Sequence, residues 1–204
     1  MITGKHTQPY DPDKPIAITF YVPFHKPGYS IKEQGQLGRL ELLNKSIKNN
    51  KPLLSVISEL PAENLYWAVK DNGAFCNGDK ISVSSRKSIN DSLLITGFAY
   101  QHDSKWETNM KLFKNLTKIS HGVRRIGSAA ADLCYVASGK ADGFWEIGLY
   151  PWDSAAGILL VEEAGGKITR MDGKPYDIFE EQILATNSLI HDEMLENFRS
   201  EILS

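Results

Sequence analysis

Cysteine is scarce in this chain: Cys76 and Cys134 are the only two in 204 residues. Far apart, with no His or Cys at metal-ligand spacing, they read as small buried hydrophobes in a reducing compartment, not as a disulfide or a zinc site. Five scattered histidines make no Ser/His/Asp or Cys/His arrangement. Basic runs are lacking, which excludes an electrostatic grip on nucleic acid. The apolar stretches, such as Ala155–Val161, fall well short of the ~20 residues a membrane helix needs. The N-terminus has no apolar signal-peptide core. It carries Asp11 and Asp13 and no Arg before Arg39, against a transit peptide. There is no internal repeat and no low-complexity tract. A soluble, cytoplasmic protein is the expectation.

What is present is ordinary globular composition: 42% hydrophobic, 24% charged, formal net charge −2. The length suits one domain or a large piece of a bigger fold. Residues 1–30 are interrupted by Pro9, Pro12, Pro15, Pro23 and Pro27, and only Ile16–Val22 could make a strand. Residues 1–50 are thus expected to be a poorly structured, divergent segment, with a short amphipathic helix on Leu37, Leu40, Leu42, Leu43 and Ile47. From Pro52 strands are predicted at Leu53–Ile57, Leu65–Val69 and Ile81–Val83, turning at Asp71-Asn72-Gly73 and Asn77-Gly78. Leu93–Phe98 reads as a buried strand. Asp103 or Ser104 then caps a helix with Trp106, Met110, Phe113 and Leu116 as its apolar face. His121–Ile126 is a strand, and Gly127-Ser128 opens an alanine-rich helix stopped by Gly139. Asp142–Trp145 makes a strand leading to Glu146. Strands Lys167–Arg170 and Ile183–Thr186 and a helix from about His191 complete an α/β layered core over residues 51–204.

The stretch from Trp145 to Gly166 organises the rest. Pro151 stops any helix arriving from upstream. Asp153 is placed to be the N-cap of the next helix. Ala155, Ala156 and Gly157 leave its first turn bare, and Gly165-Gly166 end it. A carboxylate at a positive helix end beside small residues can hold a metal ion and a phosphate together; it is equally what a plain capping aspartate looks like. Gly127-Ser128-Ala129 could present N–H groups to an anion, or simply allow tight packing. Of Arg124 and Arg125, adjacent on a strand, at most one should face a given site.

Trp152-Asp153-Ser154-Ala155-Ala156-Gly157 followed by Val161-Glu162-Glu163-Ala164-Gly165-Gly166 resembles the C-terminal signature of the inositol monophosphatase family. Gly73–Gly78, Ile81–Ser84, Leu93–Phe98 and Arg124–Ala130 fit in the same order, so the resemblance covers roughly residues 51–190. It is closest to the cyanobacterial and plastid-type branch, through Gly97–Asp103 and Asn109–Lys114. The resemblance implies an αβαβα sandwich, usually homodimeric, acting as a Mg²⁺-dependent phosphatase on inositol and related sugar monophosphates. It also implies that Asp153 is a metal ligand, that Glu146 reaches substrate hydroxyls, and that Gly127, Ser128 and Ala129 line the inositol pocket.

The family's acidic Gly-x-Glu-Glu segment and its Asp-Pro-x-Asp-Gly-Thr motif, expected upstream of Leu53–Ile57, have no counterpart here. Asp11-Pro12-Asp13 is a superficial echo, continued by Lys14-Pro15 and too far upstream. Mg²⁺ wants near-octahedral oxygen coordination and more than one carboxylate. Glu162 and Glu163 lie ~13–15 Å along the helix from Asp153, too far to share an ion with it. The N-terminal part therefore reads as truncated or divergent, and no catalytic residue can be named. Two functions stay open: an inositol- or sugar-phosphate phosphatase, or a catalytically silent relative that binds a polyol or dimerises.

Overall fold

Alternation along Leu54–Glu59 buries Ser55, Ile57 and Glu59 on one face, as a strand with one covered side requires. The computed structural model describes residues 19–21, 39–41, 47–48, 51–59, 62–99 and 101–202. In chain order the strands are β1 (Thr19–Tyr21), β2 (Arg39–Glu41), β3 (Ile47–Lys48), β4 (Lys51–Pro52), β5 (Leu54–Glu59), β6 (Asn64–Val69), β7 (Gly73–Cys76), β8 (Asp79–Ile81), β9 (Leu93–Thr96), β10 (Gly122–Arg124), β11 (Gly143–Ile147), β12 (Lys167–Thr169) and β13 (Gln182–Thr186). The helices are α1 (Ser104–Ile119), α2 (Ala129–Ala137), α3 (Pro151–Glu163) and α4 (His191–Ile202).

Strands β5 to β8 form an antiparallel meander. Its turns are those the sequence marks, with Asp71, Gly73, Asn77 and Gly78 all at positive φ. Gly73–Cys76 is a strand between two turn signals, and it makes the meander four-stranded where three strands were expected. The second sheet has the order β10-β9-β11-β13-β12, its first three strands parallel and the last two antiparallel. Helices α2 and α3 lie between the sheets, packed in one core with Ile57, Tyr66, Ile95 and Phe144. Helices α1 and α4 cover the other face of the five-stranded sheet through Leu94, Leu112, Trp145 and Phe198. Four layers of the expected αβαβα sandwich are thus described.

Three expectations need correcting. The helix expected on Leu37, Leu40, Leu42, Leu43 and Ile47 does not hold at its described positions: Leu40 pairs with Phe20 in the β1–β2 ladder, and Ile47–Lys48 is strand, while Leu37, Leu42 and Leu43 lie outside the described residues. Pairing with a distant segment overrode a weak helical periodicity. The buried face of α1 is Asn109, Leu112 and Leu116, while Trp106, Met110 and Phe113 are only partly covered. Asn109 is buried because hydrogen bonds satisfy it. Its amide donates to Gly97 O at 2.5 Å, and its oxygen accepts from Trp145 Nε1 at 2.6 Å. Third, α3 begins at Pro151 with Tyr150 as N-cap, so Asp153 is the third helical residue instead of the cap. Proline fits the first helical position because its missing N–H is not needed there. The other expectations for residues 1–50 lie outside the described residues apart from β1 to β3.

His191, at the start of α4, is fully buried between two threonines, with Nε2 2.9 Å from Thr169 Oγ1 and Nδ1 2.9 Å from Thr186 Oγ1. Thr169 donates its proton to Arg170 O, so it accepts from His191 Nε2–H; Thr186 accepts from Ser188 N–H and donates to Nδ1. This arrangement suits a neutral imidazole, and burial, reinforced by Lys167, pushes the pKa down to about 4. An unfolded histidine takes up its proton near pH 6.5, so the contribution is present above that pH and fades as pH falls towards 4. Denaturation midpoints should drop between pH 7 and 4.5, and His191→Gln should flatten that drop while lowering stability at pH 7. An unaltered slope in the variant would show that other groups carry it.

Candidate active site

The carboxyl ends of the parallel strands β9, β10 and β11 run into the N-terminal turns of α1, α2 and α3, the place where open α/β sheets form ligand crevices. A cleft of about 580 Å³ opens there. Glu146, Gly127, Ser128, Ala129 and Asp153 all line it. The residues singled out from the sequence are brought together by the fold.

Glu146 lies two residues after Phe144 on β11 and so points to the same side, toward α2 and α3. Its carboxyl rests on the bare backbone of Gly97; a Cβ there would come within 2.2 Å of Glu146 Oε2. Gly97 follows β9 and is held by the Asn109 hydrogen bond, itself part of a buried Thr96–Asn109–Trp145 network. Burial, then the negative charge of Asp153, raises the Glu146 pKa to about 8 against the opposing pull of Arg125.

Asp153 sits in the first turn of α3, where its Oδ2 accepts the Tyr150 N–H at 2.9 Å. Burial raises its pKa and that hydrogen bond lowers it, with burial the larger. Gly127 takes φ +102, open to glycine at little cost, and turns β10 into α2. Ser128, the N-cap of α2, makes no side-chain capping bond. Arg125 faces the cleft and lies 5.4 Å from the Phe98 ring centroid, whereas Arg124 donates back to Val123 O. Of the two arginines only Arg125, just past the end of β10, lines the cleft. First-turn residues of all three helices line the walls, and their positive ends favour an anion.

Several contacts in and behind the cleft carried no usable sequence signal. Gly97 stands in a recognised stretch, but its contact with Glu146 follows only from the parallel register of β9 with β11. Lys105 and Glu181, 76 residues apart, pair at 2.5 Å on the rim. Tyr150 and Trp152 stack at 4.7 Å and are 59% and 51% exposed. Asp132, one turn into α2, is 1% exposed, and neither carboxyl oxygen has a hydrogen-bond partner among the described residues. Burial, then Glu146, raises its pKa to about 8.

The donors in the cleft are oxygens of the kind Mg²⁺ takes. Yet among the described residues no group of three or more His, Cys, Asp and Glu side chains is placed to hold a metal ion. Glu163 is engaged elsewhere, accepting the N–H groups of Asp71 and Gly73 at 2.8 Å each. Asp11 and Asp13 lie outside the described residues. The described residues therefore do not by themselves fit a Mg²⁺ site.

Layered sheets, a crevice at strand carboxyl ends and converging helix N-termini define an α/β fold of the sugar-phosphatase type. The chain belongs to the inositol monophosphatase family, which residues 46–203 match. It is 53% identical over 131 residues to the chloroplastic phosphatase IMPL1 of Arabidopsis thaliana, covering 64% of this chain and 35% of that protein. It is 45% identical over 143 residues to an inositol-1-monophosphatase of Synechocystis, covering 70% of this chain and 50% of the relative. The inositol monophosphatase structure from Anabaena superposes with a TM-score of 0.69 at 43% identity, covering 74% of this chain and 60% of that one. The chain thus spans about a third to a half of the length of these curated relatives. No described helix is long and apolar enough to cross a membrane.

Two substitutions test the geometry. Gly97 is not at positive φ and its obstacle is a flexible carboxyl, so Gly97→Ala should fold normally but displace Glu146. Melting temperature should hold while ligand affinity falls as far as in Glu146→Gln; a large loss of stability instead would place the constraint in the backbone. For Asp132 the folded pKa lies above the unfolded one. The folded state holds the extra proton from about pH 4 to 8, and stability falls as pH rises through that window. Asp132→Asn should be at least about 1 kcal/mol more stable than wild type at pH 8.5 and similar near pH 4, measured by urea titration.

Proposed function

We propose that the cleft binds phosphate monoesters of inositol or related polyols. The carrying observation is the convergence of Glu146, Gly127–Ala129 and Asp153 on one crevice beneath three helix N-termini. The phosphate would lie against the α2 and α3 N-termini with Arg125 nearby, where unpaired N–H groups and a guanidinium favour a dianion. Glu146, backed by Gly97 and carrying a proton at neutral pH, would reach hydroxyls of the leaving group.

This is the substrate side of a family whose chemistry is Mg²⁺-dependent phosphomonoester hydrolysis. Asp153 supplies one carboxylate toward a metal, and one is too few to hold Mg²⁺ and the water it activates. We infer that the chain binds the ester well and turns it over feebly, which makes it a polyol-phosphate-binding member of the family. Self-association as a homodimer and a cytoplasmic setting belong to the same reading.

Calorimetric titration with myo-inositol 1-phosphate in the presence of Mg²⁺ should give saturable binding, weakened about tenfold in Glu146→Gln. Phosphate release should stay near background in wild type and Asp153→Asn alike. Robust release that vanishes in Asp153→Asn would refute feeble turnover, and would mean that acidic residues outside those described complete the site.

A further inference from the structure

The outer rim of the cleft is closed by a bridge between two elements distant in sequence. Lys105, in the first turn of α1, pairs with Glu181 at 2.5 Å, and both side chains line the cleft. Each is anchored. The Lys105 N–H donates to the α1 cap Asp103, and the Glu181 carbonyl accepts from Gly148 and Leu149, the residues that link β11 to α3. Both backbones are therefore tied to elements that build the cleft.

We propose that Lys105 and Glu181 form a second polyol-reading station, binding hydroxyls of the leaving group opposite Glu146 and setting selectivity for polyhydroxylated over plain phosphate esters. This rests on the cleft being a phosphate-ester site. Three observations carry it. Lys105 and Arg125 are the two cations lining the cleft, and Arg125 lies over the Phe98 ring and beside the phosphate in the reading above, which leaves Lys105 as the rim cation. With side-chain exposures of 43% and 58%, the pair adds little to stability, so its ammonium and carboxylate can exchange partners with a ligand cheaply. An ammonium donor beside a carboxylate acceptor matches neighbouring hydroxyls, each of which both donates and accepts. A site that hydrogen-bonds hydroxyls discriminates strongly against ligands lacking them, because its polar groups are then left unpaired.

The test is calorimetric titration of the full chain with myo-inositol 1-phosphate and with phenyl phosphate, both with Mg²⁺, for wild type, K105M, E181Q and the exchange K105E/E181K. Affinity for the inositol ester should fall about tenfold in each variant while that for phenyl phosphate changes less than about twofold. Melting temperatures should stay level. The exchange is the decisive arm. It keeps an ion pair across the rim, so wild-type selectivity in it would reduce the pair to a strap and overturn the proposal. Equal losses for both esters would overturn it too, by assigning Lys105 to the phosphate. If wild type binds both esters and no variant alters their ratio, only the rim station falls. If wild type binds neither, the cleft assignment falls with it.

Discussion

Everything at the cleft depends on how closely α2 and α3 can lie together between the two sheets. Gly157 has no room for a side chain: a Cβ there would stand 2.4 Å from Leu133 Cδ1. Ala155 and Ala156 are fully buried on the same stretch, and Ser55 from the four-stranded sheet donates to Ala156 O at 2.5 Å. Small residues let the helices and the sheet approach at backbone distance. Consequently the two helix N-termini emerge side by side at the carboxyl ends of β10 and β11. A bulkier residue at 157 would part the helices and spread the site before altering any group in it.

That packing concentrates carboxyls in a poorly hydrated place. Asp132, Glu146 and Asp153 all have raised pKa values, in each case with burial as the leading cause. Helix ends, Arg125 and the Tyr150 N–H offset the cost only in part. A core of this size gains nothing in stability from such an arrangement. The Asp132 oxygens, unpartnered among the described residues, are the most acute case. Asn109 shows the opposite solution, a buried amide whose contacts tie Gly97 and Trp145 together behind Glu146.

How much was legible in the sequence differs element by element. The turns at 71–73 and 77–78, the alanine-rich α2 and the glycine stop after α3 were readable because each depends on local backbone sterics. Element starts were less so. Pro151 reads as a helix barrier from upstream and proves to be the first helical residue, because proline blocks only what precedes it. The apolar spacing of Trp106, Met110 and Phe113 misled about α1, since a hydrogen-bonded asparagine can be buried as fully as a leucine.

The sequence by itself determined the family, the layered α/β class and five residues that meet in one cleft, because those features sit in contiguous motifs whose spacing is local chemistry. Tertiary structure alone decided that Glu146 leans on Gly97, that Lys105 finds Glu181, that Arg125 instead of Arg124 faces the cleft, and that Asp132 is buried behind Glu146. Each of these rests on the register between strands or the separation of packed helices. Register and helix spacing are set by how whole faces of the chain bury one another, and no short stretch of sequence encodes its partner's position.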